Sequence, residues 1–120
     1  MGAYLEERQE HRELLADIEV ENPALLVAIE PLWSVVRKAA IQSGADVVGE
    51  CVHQFRPHGF TGVLLLSQSH VSVHTWVEER LLLLDVQACG DMNEMLIVER
   101  LRAYLEPCQL QLRSVSRGQA

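Results

Sequence analysis

The sequence predicts an α+β fold, a two-layer sandwich in which an antiparallel sheet carries helices packed on one face. Three observations lead there. Apolar residues recur with helical spacing in three segments, and with a two-residue period or as short continuous runs between and after the last two. The links between those strand-like segments are short, which suits antiparallel neighbours. The chain has 120 residues, 48% of them hydrophobic, enough for one buried core. No repeat or low-complexity linker marks a boundary, so residues 1–120 read as a single domain.

The elements follow in order. Residues 4–17 are dense in Glu, Arg, Gln and His, and Leu14, Leu15 and Ile18 give a helical apolar edge near their end, so a charged helix is expected there. Pro23 interrupts it. Pro31 suits the first turn of the next helix, where Leu32, Val35, Val36, Ala39 and Ala40 keep helical spacing to about Gln42 and Ser43-Gly44 ends the element. Residues 46–55 read as a strand and Arg56-Pro57-His58-Gly59 as a turn. Residues 62–66 are wholly apolar, a second strand. Val71, Val73 and Thr75 alternate with Ser72, His74 and Trp76, the period of a third. Another apolar run spans 81–86 and breaks at Gly90-Asp91. Asn93 or Asp91 can cap a helix to about Leu105 with Met95, Val98, Leu101 and Leu105 inward. Pro107 stops it, and Leu110, Leu112 and Ser114 alternate in a final strand.

Composition removes several function classes. A net charge of −7 opposes a general nucleic-acid surface, because phosphate binding needs clustered Lys and Arg. No apolar run approaches the roughly 20 residues of a membrane helix. The start, Met1-Gly2-Ala3-Tyr4-Leu5-Glu6-Glu7, lacks the order of a signal peptide, and Glu6 opposes myristoylation at Gly2. Cys51, Cys89 and Cys108 form an odd set without CxxC spacing, so no disulfide framework is expected and a reducing cytoplasm fits.

The chemistry concentrates in Ser67-Gln68-Ser69-His70-Val71-Ser72-Val73-His74-Thr75-Trp76 and in Ala88-Cys89-Gly90. Ser69 supplies a nucleophile, His74 a base and Cys89 a soft proton donor. A hydroxyl is a poor nucleophile until a base takes its proton. His70 and His74 would share one face of a helix, but on a strand four residues span about 13 Å, too far for one metal ion. No metal site is expected.

These residues resemble the core of the prokaryotic S-adenosylmethionine decarboxylase proenzymes. Their pattern reads roughly Ser-Glu-Ser-His-hydrophobic-Ser/Thr-hydrophobic-His-Thr-Trp-Pro-Glu, then Thr-Cys-Gly. Gly59-Phe60-Thr61-Gly62, Ser69, His70, His74, Thr75, Trp76, Glu78, Asp85, Cys89 and Gly90 keep family-like spacing. Upstream, His53-Gln54-Phe55-Arg56-Pro57-His58-Gly59 is similar to the family's His-Arg-Phe-x-Pro-x-Gly. The likeness is good over about residues 31–118 and poor before residue 14, which marks 1–20 as a divergent N-terminal segment.

The resemblance implies a chain that cleaves itself between Gln68 and Ser69. Ser69 Oγ attacks the Gln68 carbonyl, and collapse gives an ester on the serine side chain. Removal of the Ser69 α-proton expels the Gln68 carboxylate and leaves dehydroalanine. Tautomerisation and attack of water release ammonia and leave a covalent pyruvoyl group. That ketone forms a Schiff base with the substrate amine and absorbs charge as carbon dioxide leaves S-adenosylmethionine, feeding spermidine biosynthesis. By position, His74 and Thr61 serve processing, Cys89 protonates the product carbanion, Phe55 stacks on adenine and Glu78 binds the ribose hydroxyls. A homodimer with active sites near the subunit contact is implied as well.

Two departures bear on activity. Gln68 stands where the family has glutamate, and Val77 where it has the proline of Trp-Pro-Glu. Glu79-Arg80-Leu81-Leu82-Leu83 replaces Tyr-Gly-Tyr-Ala-Ala, and the charged stretch 6–13 replaces the family's apolar first strand. These leave two alternatives open: a pyruvoyl-dependent arginine or ornithine decarboxylase, and an unprocessed, non-catalytic paralogue that binds an active partner or a nucleoside ligand.

Overall fold

The computed structural model describes residues 9–118. Six strands form one antiparallel sheet: β1 (His11–Val20), β2 (Val47–Gln54), β3 (Phe60–Leu66), β4 (His70–Trp76), β5 (Leu81–Cys89) and β6 (Cys108–Arg117). Their spatial order is β2-β3-β4-β5-β1-β6. Helices α1 (Leu32–Gln42) and α2 (Met95–Leu105) pack on one face and against each other. This is the predicted α+β sandwich.

The largest correction lies in β1. The helix expected over 4–17 is a strand from His11, flanked by β5 and β6; residues 1–8 lie outside the described part. Leu14, Ala16, Ile18 and Val20 are buried, a two-residue period, while Glu13, Leu15 and Asp17 point to the other face. Leu15 is an apolar residue on the opposite face, and it turns the alternation into an apparent helical edge. Two strand partners outweigh that local signal. A strand thus stands near the position where the resemblance implies the family's first one, despite the charge of the segment leading into it.

α1 buries Leu32, Trp33, Val36, Ala39 and Ala40 and starts just after Pro31, as the spacing predicts. In α2 the buried residues are Ile97, Val98, Leu101 and Leu105. Met95, expected inward, lies on the exposed side of that stripe, and Ile97 fills the core instead. Neither Asn93 nor Asp91 caps the helix; the residue at its start is Glu94, without a side-chain cap.

Gly62 lets the helical layer close onto the sheet. A Cβ there would stand 2.5 Å from the buried Trp33 ring, so a side chain larger than hydrogen has no room. Trp33 in turn meets Phe60 edge-on, with centroids 6.3 Å apart.

Among the described residues, no helix packs over the other sheet face. One cross-strand row there runs Cys51, Val63, Ser72, Asp85, Leu15, Arg113, and the next His53, Thr61, His74, Leu83, Asp17, Gln111. Apolar and chemically active side chains thus share one uncovered surface.

Candidate active site

The β3–β4 hairpin creates the first half of the site. Leu66 N–H donates to Ser69 O at 2.9 Å, so the chain reverses across Ser67 and Gln68, and Ser67 N–H is tied to Asp46 O at 3.0 Å. The Gln68–Ser69 peptide therefore lies at a sharp, exposed bend. Two-residue hairpin turns favour left-handed residues, yet neither Ser67 nor Gln68 has positive φ. Cys89, at the end of β5, directs its thiol to Gln68 Oε1 at 3.7 Å. Gln68, Ser69, Cys89, Gly90 and Met92 share a cavity of about 270 Å³.

The wall beyond Cys89 is anchored by a residue the sequence reading passed over. Arg12 forms a forked ion pair with Glu94, one arm donating to Oε1 at 3.0 Å, and gives further hydrogen bonds to Gly90 O and Met92 O, both at 3.1 Å. Burial raises the Glu94 pKa, but bonds from Arg12 and the backbone outweigh it and hold the carboxyl below its ordinary value. The Glu94 hydrogen bond likewise raises Arg12. Elsewhere, burial pushes the Cys108 thiol up, helped by Glu106.

The second half lies farther along β4. Phe55, His58, Thr61, His74, Trp76 and Glu78 line a cavity of about 280 Å³. Thr61 Oγ1 and His74 Nδ1 lie 2.8 Å apart, facing each other across β3 and β4. Phe55 and Trp76 keep 45% and 49% of their surface exposed, presenting apolar faces to the cavity mouth. His53 meets Phe55 edge-on at 4.9 Å. Thr75 behind them is buried, accepting from Phe60 N–H at 2.9 Å and donating to Leu26 O at 3.0 Å, which locks the strand under His74. Glu78 sits in a short 3-10 turn (Val77–Glu79), where His58 Nε2 reaches its carboxylate at 3.2 Å.

The fold thus gathers Gln68, Ser69 and Cys89 at one end, and Phe55, Thr61, His74 and Glu78 at the other. Ser69 and His74 are not brought together within the chain. A strand advances about 3.3 Å per residue, so five residues separate them by roughly 16 Å. His70 and His74 likewise stand apart along β4. Two contacts escaped sequence reading: Arg12–Glu94, because 4–17 looked like a solvated helix, and His58–Glu78, because the turn residues carry no periodic signal.

Fold and site define a two-layer α+β sandwich with a serine-bearing β3–β4 hairpin at one of its two candidate cavities. The profile of the S-adenosylmethionine decarboxylase family matches residues 12–118, and the chain belongs to that family. It is similar to the S-adenosylmethionine decarboxylase proenzyme of Archaeoglobus fulgidus, 36% identical over 84 residues, covering 70% of this chain and 75% of that one. The proenzyme of Symbiobacterium thermophilum is 42% identical over 88 residues, 72% of this chain and 67% of the relative. That of Thermoplasma volcanium is 32% identical over 106 residues, 88% and 82% respectively. The crystal structure of the adenosylmethionine decarboxylase of Aquifex aeolicus superimposes with a TM-score of 0.83 at 27% identity, covering 94% of both chains. The family match begins at residue 12, inside β1, and so includes part of the segment the sequence reading set apart.

Proposed function

We propose that this chain is a proenzyme that cleaves itself between Gln68 and Ser69, derives a pyruvoyl group from Ser69 and decarboxylates S-adenosylmethionine for spermidine synthesis. The bend at the Gln68–Ser69 peptide, with the Cys89 thiol against Gln68, carries this reading. Gln68 is exposed at this bend and the group attacked is its main-chain carbonyl, so the reaction does not demand a carboxylate side chain there. Ser69 and Cys89 sharing one cavity fits a ketone at residue 69 with a proton donor beside it. Once formed, that ketone supplies an electron sink for loss of carbon dioxide. Cys89 then holds the proton for the product carbon, a role suited to a thiol, which gives up its proton far more readily than a hydroxyl.

Phe55 offers a π face to the adenine and Glu78 a two-oxygen acceptor to the ribose diol, with His58 fixing the carboxylate. In the tautomer whose Nδ1–H donates to Thr61 Oγ1, the His74 ring is oriented and Nε2 is the nitrogen that can accept a proton. Because His74 and Ser69 of one chain lie far apart, a homodimer completes the site: the helix-free sheet face of one copy sets His74 against the other's Ser69. Val63, Leu65, Leu81, Leu83 and Leu15 on that face supply apolar area for the contact. Residues 1–120 act as one catalytic domain, in the cytoplasm. Among the described residues no helix is long and apolar enough to cross a membrane.

Phe55 and Trp76 offer more aromatic surface than a short aliphatic amine can cover, which suits a nucleoside and weighs against ornithine as substrate. Intact mass of the purified chain is the test. Fragments 1–68 and 69–120, the second blocked by pyruvoyl, together with carbon dioxide release from S-adenosylmethionine, are the expected result. A chain that stays whole through prolonged incubation removes the proposal in favour of the non-catalytic paralogue.

A further inference from the structure

We propose that Arg12, locked by Glu94, is a positioning residue that fixes residues 89–92 and so sets where the Cys89 thiol points in the Ser69 cavity. The role of Cys89 as proton donor rests on the function proposed above; the placement of the wall by Arg12 does not.

The geometry is specific. Arg12 pairs with Ala88 in the β1–β5 register, one residue before Cys89. Its guanidinium leaves the end of the sheet and meets four acceptors: both Glu94 oxygens and the carbonyls of Gly90 and Met92. Gly90 is held from its other side too, since its N–H donates to Glu10 O at 3.0 Å. Met92 N–H closes back on Cys89 O at 3.3 Å. The turn after the thiol is thus fastened through both polar groups of Gly90, its carbonyl to Arg12 of β1 and its N–H to Glu10 just before that strand, and Gly90 takes φ +58 to make the turn. Gly90, Asp91 and Met92 are themselves cavity wall. An ion pair kept only for stability would not need the nitrogen on Glu94 Oε1 to donate as well to the wall carbonyls of Gly90 and Met92.

Only arginine can do this. Its planar fork offers five donors in fixed directions, whereas a lysine ammonium is a single point of charge. Glu94 keeps the fork from rotating. Both side chains are largely shielded from water, 21% and 12% exposed, so the pair is less screened than a surface one.

The test compares three thiols within one molecule. The full-length chain, parent or variant, is treated with iodoacetamide and the rate at each cysteine is read by mass spectrometry. Cys51 is exposed and Cys108 half-buried, so Cys108 reports general loosening. Arg12→Lys keeps the charge and loses the fork; it is expected to speed Cys89 alkylation about tenfold, through easier local opening, with Cys51 and Cys108 unchanged. Glu94→Gln should act in the same direction more weakly, and it stands in if Arg12→Lys does not fold. In the processed enzyme either variant should lower kcat by about 10- to 100-fold with KM nearly unchanged, because the nucleoside-binding residues lie at the other end of β4. Parental Cys89 reactivity in both variants, or a rise shared equally by Cys108, overturns the proposal. The alkylation readout also works on uncleaved chain, so a parent that fails to process sinks the decarboxylase reading without deciding this one.

Discussion

Ser69 and His74 occupy one extended stretch of chain, five residues apart, yet line two different cavities. The base cannot reach the nucleophile of its own chain without unmaking β4, whose backbone is bonded on both sides to β3 and β5. In the proposed homodimer, two copies facing each other through this sheet face would bring His74 of one to Ser69 of the other. Mixed dimers should then show complementation. Ser69→Ala chains cannot cleave, and His74→Ala chains alone should remain whole. Co-expressed, they should yield cleavage of the His74→Ala chain, seen as its own fragments by mass. Absence of those fragments from verified heterodimers would mean that processing runs within a single chain.

His74 and Cys89 should separate by stage of the reaction. His74→Ala removes the group that Thr61 orients and should stop formation or breakdown of the ester. Cys89→Ser keeps a small hydroxyl against Gln68 and should spare most cleavage. A hydroxyl is a far weaker acid than a thiol, so turnover by the processed variant should fall by about 10²–10⁴. Gel analysis of processing and carbon dioxide release from the isolated, processed fraction give the two readouts independently. Equal activity of the Cys89→Ser variant and its parent would take the proton-donor role away from Cys89.

Most of this fold was legible because its strands announce themselves by period. Residues 71–76 alternate cleanly, and α1 shows its buried stripe from Leu32 to Ala40. β1 did not, because Leu15 sits on the uncovered face and hides the alternation of Leu14, Ala16 and Ile18. That face reads as ambiguous in a single chain for the same reason it suits a contact: apolar and polar residues are mixed on it. At the site, Ser69, His74 and Cys89 stood out by residue type and spacing. The strand period of residues 71–76 already holds Ser69 and His74 apart, but the two cavities they line were not legible, since the walls come from residues distant in sequence. Arg12 and Glu94 lie 82 positions apart and meet only when β1 enters the sheet beside β5.

Gly62 gives a direct probe of how the helical layer seats on β3. An alanine methyl would lie 2.5 Å and 2.7 Å from two carbons of the Trp33 ring. Trp33 is fully buried and packed on Phe60, so it cannot yield without moving α1. Gly62→Ala should therefore cost about 1–3 kcal/mol of stability, as overpacking in a dense core does. Chemical denaturation with an unchanged m-value is the measurement. Thr61 neighbours this position and touches His74, so slower processing should accompany the loss. Unaltered stability would mean that the helical layer is more loosely seated than described.

Acid should weaken the molecule through Glu94 in a way that one substitution reveals. The folded-state pKa of Glu94 lies below its ordinary value, because bonds from Arg12 outweigh the opposing effect of burial. A group depressed on folding contributes stability that is fully present above its unfolded pKa, near 4.5. The contribution is lost as pH falls through the lower folded value, when the carboxylate takes a proton and Arg12 loses its partner charge. Glu94→Gln lacks this titration. At neutral pH it should be less stable than the parent by about 1–3 kcal/mol, the value of a shielded hydrogen bond to a charged group. From pH 5 down to pH 3 the parent should lose stability faster, and the gap between the two should narrow. Thermal unfolding followed at several pH values checks this. A gap that stays constant over that range would show that the Arg12–Glu94 contact owes nothing to the carboxylate charge.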